Sequence, residues 1–481
     1  MTDARTAAAA SGTAQVSMLT LAAFVVGSMV GAGVFSLPGA FAADTGVAGA
    51  LIAWGIAGAG MLTLALVFRM LAVRRPDLDA GVFSYAKAGF GDFAGSFSAF
   101  GYWASACAGN VFYWVFIMST LGAVFPALGA GDTLLAVGLA SAGVWLFFVL
   151  IRRGVREAAS LNRIVSIAKT VPILVFVVLC LTVFDPAVFA ENWTGGTDAA
   201  PVFEQVRATM LVTVFVFIGV EGASVNSRHA RSRKDVGRAT LLGFFSVLAV
   251  FASVTIVSYG VLPRAEIAAL AEPSMGGVLA AAVGPWGAIV VGVALIVAVL
   301  GAYLAWTLMA AEVLLAAARA GDLPRFLRRT DRHDTPVAAL LLSTALVQVM
   351  LVVVLFAQDA FDVALDLTSS LVLIPFLLSA SYALKLTLTG EGYAPGDRSR
   401  GRDVAISALA TGYTAFLLYA AGLSYLLLSL LIIVPGTVLF VAARRERGLR
   451  VFTRVEAVVF VLAAAGAVAA VVLLATGTIT L

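Results

Sequence analysis

The sequence predicts an all-α polytopic membrane protein with about thirteen transmembrane helices, two of them interrupted midway. Its composition, its successive apolar segments and two glycine-rich breaks within those segments support this fold class. Of the 481 residues, 61% are hydrophobic and only 12% are charged, and the mean hydropathy is +1.03. A chain of this composition cannot fold as a water-soluble globule.

Apolar segments follow one another along the whole chain. A membrane-spanning helix needs about 20 predominantly apolar residues. Spans 3 and 8 are longer than this, which lets them cross the bilayer with a tilt. We place the spans at 18–42, 47–71, 93–126, 133–151, 161–184, 203–226, 239–262, 285–318, 336–357, 360–388, 403–421, 424–443 and 455–478.

Lysine and arginine residues set the orientation of these spans. With a cytoplasmic N-terminus, the basic loops all fall on one side, and the loops on the other side are mainly acidic. The positive-inside rule then predicts a multi-pass protein of the cytoplasmic membrane with its N-terminus inside and its C-terminus outside. This bias accounts for the net charge of +4 without a nucleic-acid partner. The basic side carries Arg74, Arg75, Lys87, Arg152, Arg153, Arg156, Arg163 and the arginines of 228–238, 319–332, 398–402 and 444–454.

The N-terminus and the cysteines add two further expectations. Residues 1–16 are rich in alanine, serine and threonine and run into a long span without a cleavage site, so we predict a disordered cytoplasmic tail. The two cysteines, Cys107 and Cys180, both fall inside predicted spans. We therefore expect no disulfide framework, no metal site and no cofactor.

Two spans are interrupted by glycine-rich sequence, at 27–35 and at 217–224. Glycine destabilises a helix, and unpaired backbone groups at mid-membrane are tolerated only where they line a cavity or meet a ligand. Interrupted helices at matching places in two halves of a chain point to the binding site of a transporter. The alternative is close helix packing, which the spacing of Gly27 and Gly31 also fits.

The two breaks lie in spans 1 and 6, five spans apart. An odd offset gives the two units opposite orientations in the membrane, as an inverted repeat requires. We predict that 17–184 (spans 1–5) form the first repeat and 203–388 (spans 6–10) the second. Spans 11–13, in 403–481, are additions to this 5+5 arrangement.

Each break exposes two kinds of backbone group. The amides of Gly31, Ala32 and Gly33 form the positive end of a half-helix, which attracts a carboxylate. The carbonyls of Met29 and Ile218 can accept hydrogen bonds from an ammonium group. A site that offers both is suited to an α-amino acid.

Several motifs resemble one known family. They are the first break and the segments 85–92 (YAKAGFGD), 101–110 (GYWASACAGN), 211–224 (LVTVFVFIGVEGAS) and 301–308 (GAYLAWTL). The chain resembles the basic amino acid/polyamine antiporters of the amino acid–polyamine–organocation superfamily, and among them most the arginine/ornithine antiporters. The resemblance implies a leucine-transporter-like inverted-repeat fold, transport rather than enzymatic activity, and the possibility of a homodimer.

The resemblance also implies roles for residues at the breaks. The amides of Ala32 and Gly33 would hold the substrate carboxylate, and the carbonyls of Met29 and Ile218 would hold its α-ammonium. Trp306 would stack on the guanidinium or side-chain ammonium, because a tryptophan face attracts cations. A packing role for Trp306 is the alternative.

Other residues would complete the pocket. The resemblance assigns Ser105, Ala106 and Asn110 to its distal end, although Asn110 also suits a hydrogen bond between helices. The aromatic residue that closes over the substrate is typically tryptophan in the family and is Phe215 here. Phenylalanine is the weaker cation–π partner, so we expect a looser gate.

Two ionisable residues inside predicted spans are candidates for coupling. Glu221 lies beside the second break, where a mid-membrane carboxylate is functional by default, although it could simply cap exposed amides. Lys169 lies in span 5, and the resemblance implies that an amine there can take the place of a sodium ion. The alternative is a lysine that extends to the membrane surface.

These features predict exchange of cationic amino acids by alternating access. An empty site would leave Glu221 and the backbone acceptors unpaired at low dielectric, so the carrier should cross only when loaded. Exchange of arginine for ornithine is electroneutral, so the membrane potential would not bias it. Agmatine has no carboxylate and would lose the contact with Ala32 and Gly33.

Other functions remain as alternatives. Within transporters, they are exchange of lysine or another cationic amine, and proton-coupled uptake through Glu221 or Lys169. A nutrient sensor built on a transporter fold is the alternative from another class. A membrane enzyme is disfavoured, because His229 and His333 both lie in predicted loops.

Overall fold

The computed structural model describes residue 22 and residues 26–27, 29–78, 81–153, 159–196, 200–220, 233–332, 335–357 and 359–479. Within these residues all regular structure is helical, and the predicted tail 1–16 lies outside them. The helices are α1 Leu37–Asp44, α2 Val47–Arg74, α3 Val82–Phe90, α4 Asp92–Gly122, α5 Leu134–Arg152, α6 Ala159–Thr182, α7 Pro186–Glu191, α8 Val202–Phe217, α9 Arg233–Ser258, α10 Arg264–Ala268, α11 Ser274–Val283, α12 Trp286–Arg319, α13 Val337–Val354, α14 Ala360–Thr389, α15 Ser399–Glu446 and α16 Arg454–Ala475.

Nine helices of the described chain are long and apolar enough to cross a membrane. They are α2, α4, α5, the Thr240–Ser258 part of α9, α12, α13, α14, α15 and α16. The long spans predicted third and eighth are α4, with 31 residues, and α12, with 34. The 48 residues of α15 are two helices joined at Gly422, which leaves helical geometry with a φ of 76° and a ψ of 168° between the predicted spans 403–421 and 424–443.

Helix α4 lies at the centre of the bundle. In an 18-residue apolar stretch of α4, 89% of the residues are buried, whereas in the corresponding stretch of α16 only 17% are buried. Helices α3, α5, α12, α13, α14 and α15 all pack against α4. The outer helices expose large apolar side chains such as Val455 and Leu462. The helices around α4 therefore bury their inner faces against it, and the apolar side chains on the outside of the bundle are suited to contact lipid.

Four charged side chains meet at the end of the bundle that carries the basic loops. The Nζ atom of Lys87 lies 2.6 Å from Asp322 and 3.3 Å from Asp92, and Arg444 lies 2.6 Å from the second oxygen of Asp92. We call these four residues the basic-end cluster. Glu456 of α16 accepts a hydrogen bond from the backbone amide that follows Asp92. Contacts at Asp92 therefore connect the central α4 with α3, α15 and α16.

Candidate functional site

The first predicted break interrupts the N-terminal helix. Helical backbone at Met29 gives way to non-helical Val30 and Gly31, and a buried 3₁₀ turn follows over Ala32–Phe35. No side chain caps this turn. The first N–H groups of a helical turn have no partner within it. The amides at this point are therefore suitably placed to bind an anionic group.

The second predicted break is described on one side only. Helix α8 ends at Phe217, and Ile218 leaves helical geometry with a ψ of 131°. Gly219 has a φ of 108°, a conformation that favours glycine. Residues 221–232, including Glu221, lie outside the described residues. The helix thus ends within an apolar segment, at the position that the glycine pattern predicts.

The two breaks are in contact through Gly33. A Cβ atom on Gly33 would lie 2.7 Å from Cδ1 of Phe215 and 2.8 Å from Cγ1 of Val216. These distances are shorter than carbon atoms tolerate, so only glycine allows the two segments to approach this closely.

A cavity lies between the breaks and the central helix α4. Among the described residues, every predicted substrate-binding residue except Asn110 lines it. Its lining consists of Met29, Gly31, Ala32, Gly33, Val34, Ser105, Ala106, Gly109, Tyr113, Phe215, Val216, Ile218, Phe251, Trp306 and Thr368.

One face of α4 supplies a wall of the cavity. Ser105, Gly109 and Tyr113 follow at intervals of four residues, so they share that face. The Ser105 hydroxyl donates to the carbonyl of Thr368 at 2.7 Å. Sequence reasoning missed Gly109, Tyr113 and Thr368 as lining residues. The four-residue interval from Ser105 was the available signal for the first two.

Asn110 is not among the residues that line the cavity. It is 1% exposed, and its amide nitrogen donates to the Thr307 hydroxyl at 3.1 Å. Thr307 follows Trp306 on α12. In the structure, therefore, Asn110 makes the helix-to-helix hydrogen bond that was the alternative to a pocket role.

Two aromatic residues give the cavity its apolar surfaces. Trp306 is partly buried and its ring centroid lies 6.4 Å from that of Tyr102. The Phe215 ring packs against Phe112 with centroids 4.6 Å apart. An indole face can bind a cation, and the amides of the uncapped turn near Gly33 can bind an anion. The cavity therefore suits a small molecule that carries both charges.

Lys169 contacts the helix that precedes the first break. Its Nζ atom donates to the carbonyl of Gly27 at 2.5 Å, and the residue is 8% exposed. Cys107 and Cys180 are buried free thiols. Across the described part of the chain, His, Cys, Asp and Glu side chains do not gather in groups of three that could hold a metal ion.

A buried carboxyl lies in the loop between α10 and α11. Glu272 accepts a hydrogen bond from the Ser274 amide at 2.9 Å, and the Ser274 hydroxyl accepts one from Gly39 of α1. Burial, with a smaller contribution from the negative charge of Asp362, raises the pKa of Glu272 to about 8. This loop therefore holds a carboxyl that stays protonated at neutral pH beside the helix that follows the first break.

Replacing Glu272 with glutamine should stabilise the protein increasingly as pH rises above 4.5. The folded-state pKa of about 8 lies above the ordinary value of 4.5, so the wild-type protein loses stability as pH rises from 4.5 to about 8. At pH 8.5 we expect Glu272→Gln to be more stable than wild type by on the order of 1 kcal/mol or more, and therefore to unfold at a higher temperature. Below pH 4.5 the two proteins should match. Tryptophan fluorescence during heating measures this.

The matched control for that experiment is Glu266→Gln. Glu266 is exposed on α10 in the same loop, so its replacement should change little at either pH. An equal shift of the Glu272→Gln variant at both pH values would contradict the assignment.

The chain is similar to known proteins over most of its length. A family model described as amino acid permease matches residues 16–444. A protein of Pseudomonas aeruginosa named arginine/ornithine antiporter is 47% identical over 96% of this chain and 97% of its own. One of Escherichia coli K12, named putative arginine/ornithine antiporter, is 42% identical over 90% of this chain and 92% of its own. A Corynebacterium glutamicum protein named L-lysine transport protein is 37% identical, over 98% of each chain.

Proposed function

Because the chain belongs to the amino acid permease family, we propose that this multi-pass membrane protein exchanges cationic amino acids, with arginine and ornithine as its pair. One observation carries the proposal: a single cavity joins the uncapped turn at Ala32–Phe35 to the indole of Trp306. The names of the P. aeruginosa and E. coli relatives support the choice of substrates.

The α-amino acid group of the substrate lies at the two breaks, and its side-chain cation lies at the wall formed by Trp306. Its carboxylate accepts hydrogen bonds from the amides of Ala32 and Gly33, and its α-ammonium donates to the carbonyls of Met29 and Ile218. The side-chain cation rests on Trp306, near Ser105 and Ala106. Phe215 closes the cavity above the substrate. Asn110 lies at the distal end of the pocket and is held there by its hydrogen bond to Thr307.

Exchange, rather than net uptake, follows from the charge of the loaded site. The lining offers polar backbone groups in a cavity of low dielectric, and these groups are unpaired when the site is empty. Reorientation is then costly without a substrate and easy with either cation. Glu221 adds to this cost if its carboxylate stays ionised. Lys169 fixes the helix before the break through Gly27, which allows a cycle without sodium.

The proposed architecture has thirteen spans in a leucine-transporter-like 5+5 inverted repeat. The helical residues 22, 26, 27 and 29 together with α1 form span 1, and the two parts of α15 on either side of Gly422 form spans 11 and 12. The repeats are 17–184 and 203–388, and 403–481 are additions. The basic-end cluster faces the cytoplasm of the cell, and the C-terminus lies outside. We also propose a homodimer in the lipid bilayer.

Counterflow in proteoliposomes tests the proposed function. Liposomes loaded with unlabelled ornithine should take up labelled arginine, and empty liposomes should not. Protein-free liposomes provide the background. Equal uptake into loaded and empty liposomes would contradict exchange and favour coupled uptake.

Lysine is the second candidate substrate, because a relative named L-lysine transport protein aligns along nearly the whole chain. Liposomes loaded with lysine separate the two possibilities. We expect ornithine inside to drive arginine uptake faster than lysine does. Faster uptake with lysine would move the assignment to a lysine exchanger.

A further inference from the structure

The Tyr113 hydroxyl faces the cavity and has no hydrogen-bond partner among the residues that the structure describes. Tyr113 lines the cavity from α4 and is 6% exposed. Among the described residues nothing forms a hydrogen bond with its hydroxyl. The Tyr113 oxygen therefore retains open surface on the side where a ligand would lie.

This hydroxyl stands beside the first break. A Cβ atom on Gly31 would lie 3.6 Å from the Tyr113 oxygen, and Gly31 begins the uncapped turn. Ser105 lies eight residues earlier on the same face of α4, about 12 Å away along the helix axis. Tyr113 is therefore at the end of the cavity that holds the open amides, and Ser105 is at the other end.

We propose that the Tyr113 hydroxyl donates a hydrogen bond to the substrate α-carboxylate and so selects α-amino acids over amines that lack one. The proposal rests on the proposed function and adds to it a residue that selects the substrate. The phenol completes the set of donors that begins with the amides of Ala32 and Gly33.

The local charges favour a carboxylate over an ammonium group at this hydroxyl. The amides at the start of the turn present partial positive charge, which attracts an anion and repels a cation. A hydroxyl that shares an anion with such amides acts as a donor. Hydrogen bonds to charged groups are about twice as strong as those between neutral groups. Losing this donor should therefore weaken binding measurably.

The test replaces Tyr113 with phenylalanine, which removes only the hydroxyl. Binding to the purified full-length protein is measured with labelled arginine, and with unlabelled ornithine and agmatine as competitors. We expect Kd for arginine and for ornithine to rise equally, by about tenfold to a hundredfold. Agmatine has no carboxylate, so its competition should not weaken.

Tyr413→Phe is the matched control. Tyr413 is similarly buried, 8% exposed, but lies on α15 against Gly60 and outside the cavity lining. This variant should bind arginine like wild type, and both variants should unfold near the wild-type temperature.

The remaining outcomes overturn the proposal in recognisable ways. An unchanged Kd for arginine would mean that the hydroxyl makes no contact with substrate. Unequal losses for arginine and ornithine, or an equal loss for agmatine, would place Tyr113 at the side-chain end instead. If wild type itself binds neither arginine nor ornithine, the proposed function fails rather than the role of Tyr113.

Discussion

Replacing Gly33 with alanine should nearly abolish arginine/ornithine exchange in a protein that still folds. The added methyl group would lie 2.7 Å from the Phe215 ring, which itself packs against Phe112. The ring must shift, and either the cavity narrows or the two breaks separate. Because a displacement of 1 Å at a binding site can cost on the order of a hundredfold in rate, we expect a loss of that size. Counterflow of labelled arginine into ornithine-loaded liposomes measures it.

A second glycine provides the control for Gly33→Ala. Gly138 on α5 has open space where a Cβ atom would lie, so Gly138→Ala should keep wild-type exchange. Overpacking costs about 1–3 kcal/mol, so the Gly33→Ala protein should melt earlier but still purify as a folded species. Wild-type exchange by Gly33→Ala would show that the contact between the breaks is unimportant for transport.

Replacing Trp306 with alanine should produce the other large loss. The substrate cation loses the indole face, which contributes about 0.5–2 kcal/mol, or a twofold to roughly thirtyfold change in affinity. Loss of the ring also widens the cavity, so the substrate is positioned less well. We therefore expect the exchange rate to fall by a larger factor than the affinity does. Trp306→Phe should retain part of the activity, because phenylalanine is the weaker cation–π partner. Arginine binding and counterflow should both be measured.

Trp286→Ala controls for the loss of a tryptophan from α12. Trp286 is 50% exposed at the start of the same helix and lies outside the cavity lining. It should transport like wild type. Equal losses in both variants would mean that Trp306 stabilises the helix rather than the substrate.

The backbone of the site could be predicted because its cause is local. Glycines within the first apolar segment weaken the helix wherever that segment packs, and the interruption at Val30 and Gly31 follows from them. The same reasoning identified the end of α8 before Gly219. The glycine at 422 leaves helical geometry between the predicted spans 403–421 and 424–443, where two helices join.

The side chains around the cavity were harder to predict because they depend on helix rotation and on distant neighbours. Asn110 is one residue from Gly109, yet a step of about 100° on a helix turns it toward Thr307. Thr368 reaches the cavity because α4 and α14 lie close together at Gly109. A Cβ atom on Gly109 would lie 3.4 Å from the methyl group of Thr368. Neither relation is visible from the order of residues along one segment.

The basic-end cluster has a practical consequence for protein engineering. The chain after 403 lies beyond the two proposed repeats, so a truncation or an inserted reporter would naturally be placed there. Arg444 nevertheless holds Asp92, and Glu456 holds the amide beside it, at the start of the central helix. A cut before Arg444 would leave Asp92 and Asp322 to share the single cation of Lys87. Purification tags and fluorescent reporters therefore belong beyond Ala475, where both contacts remain intact.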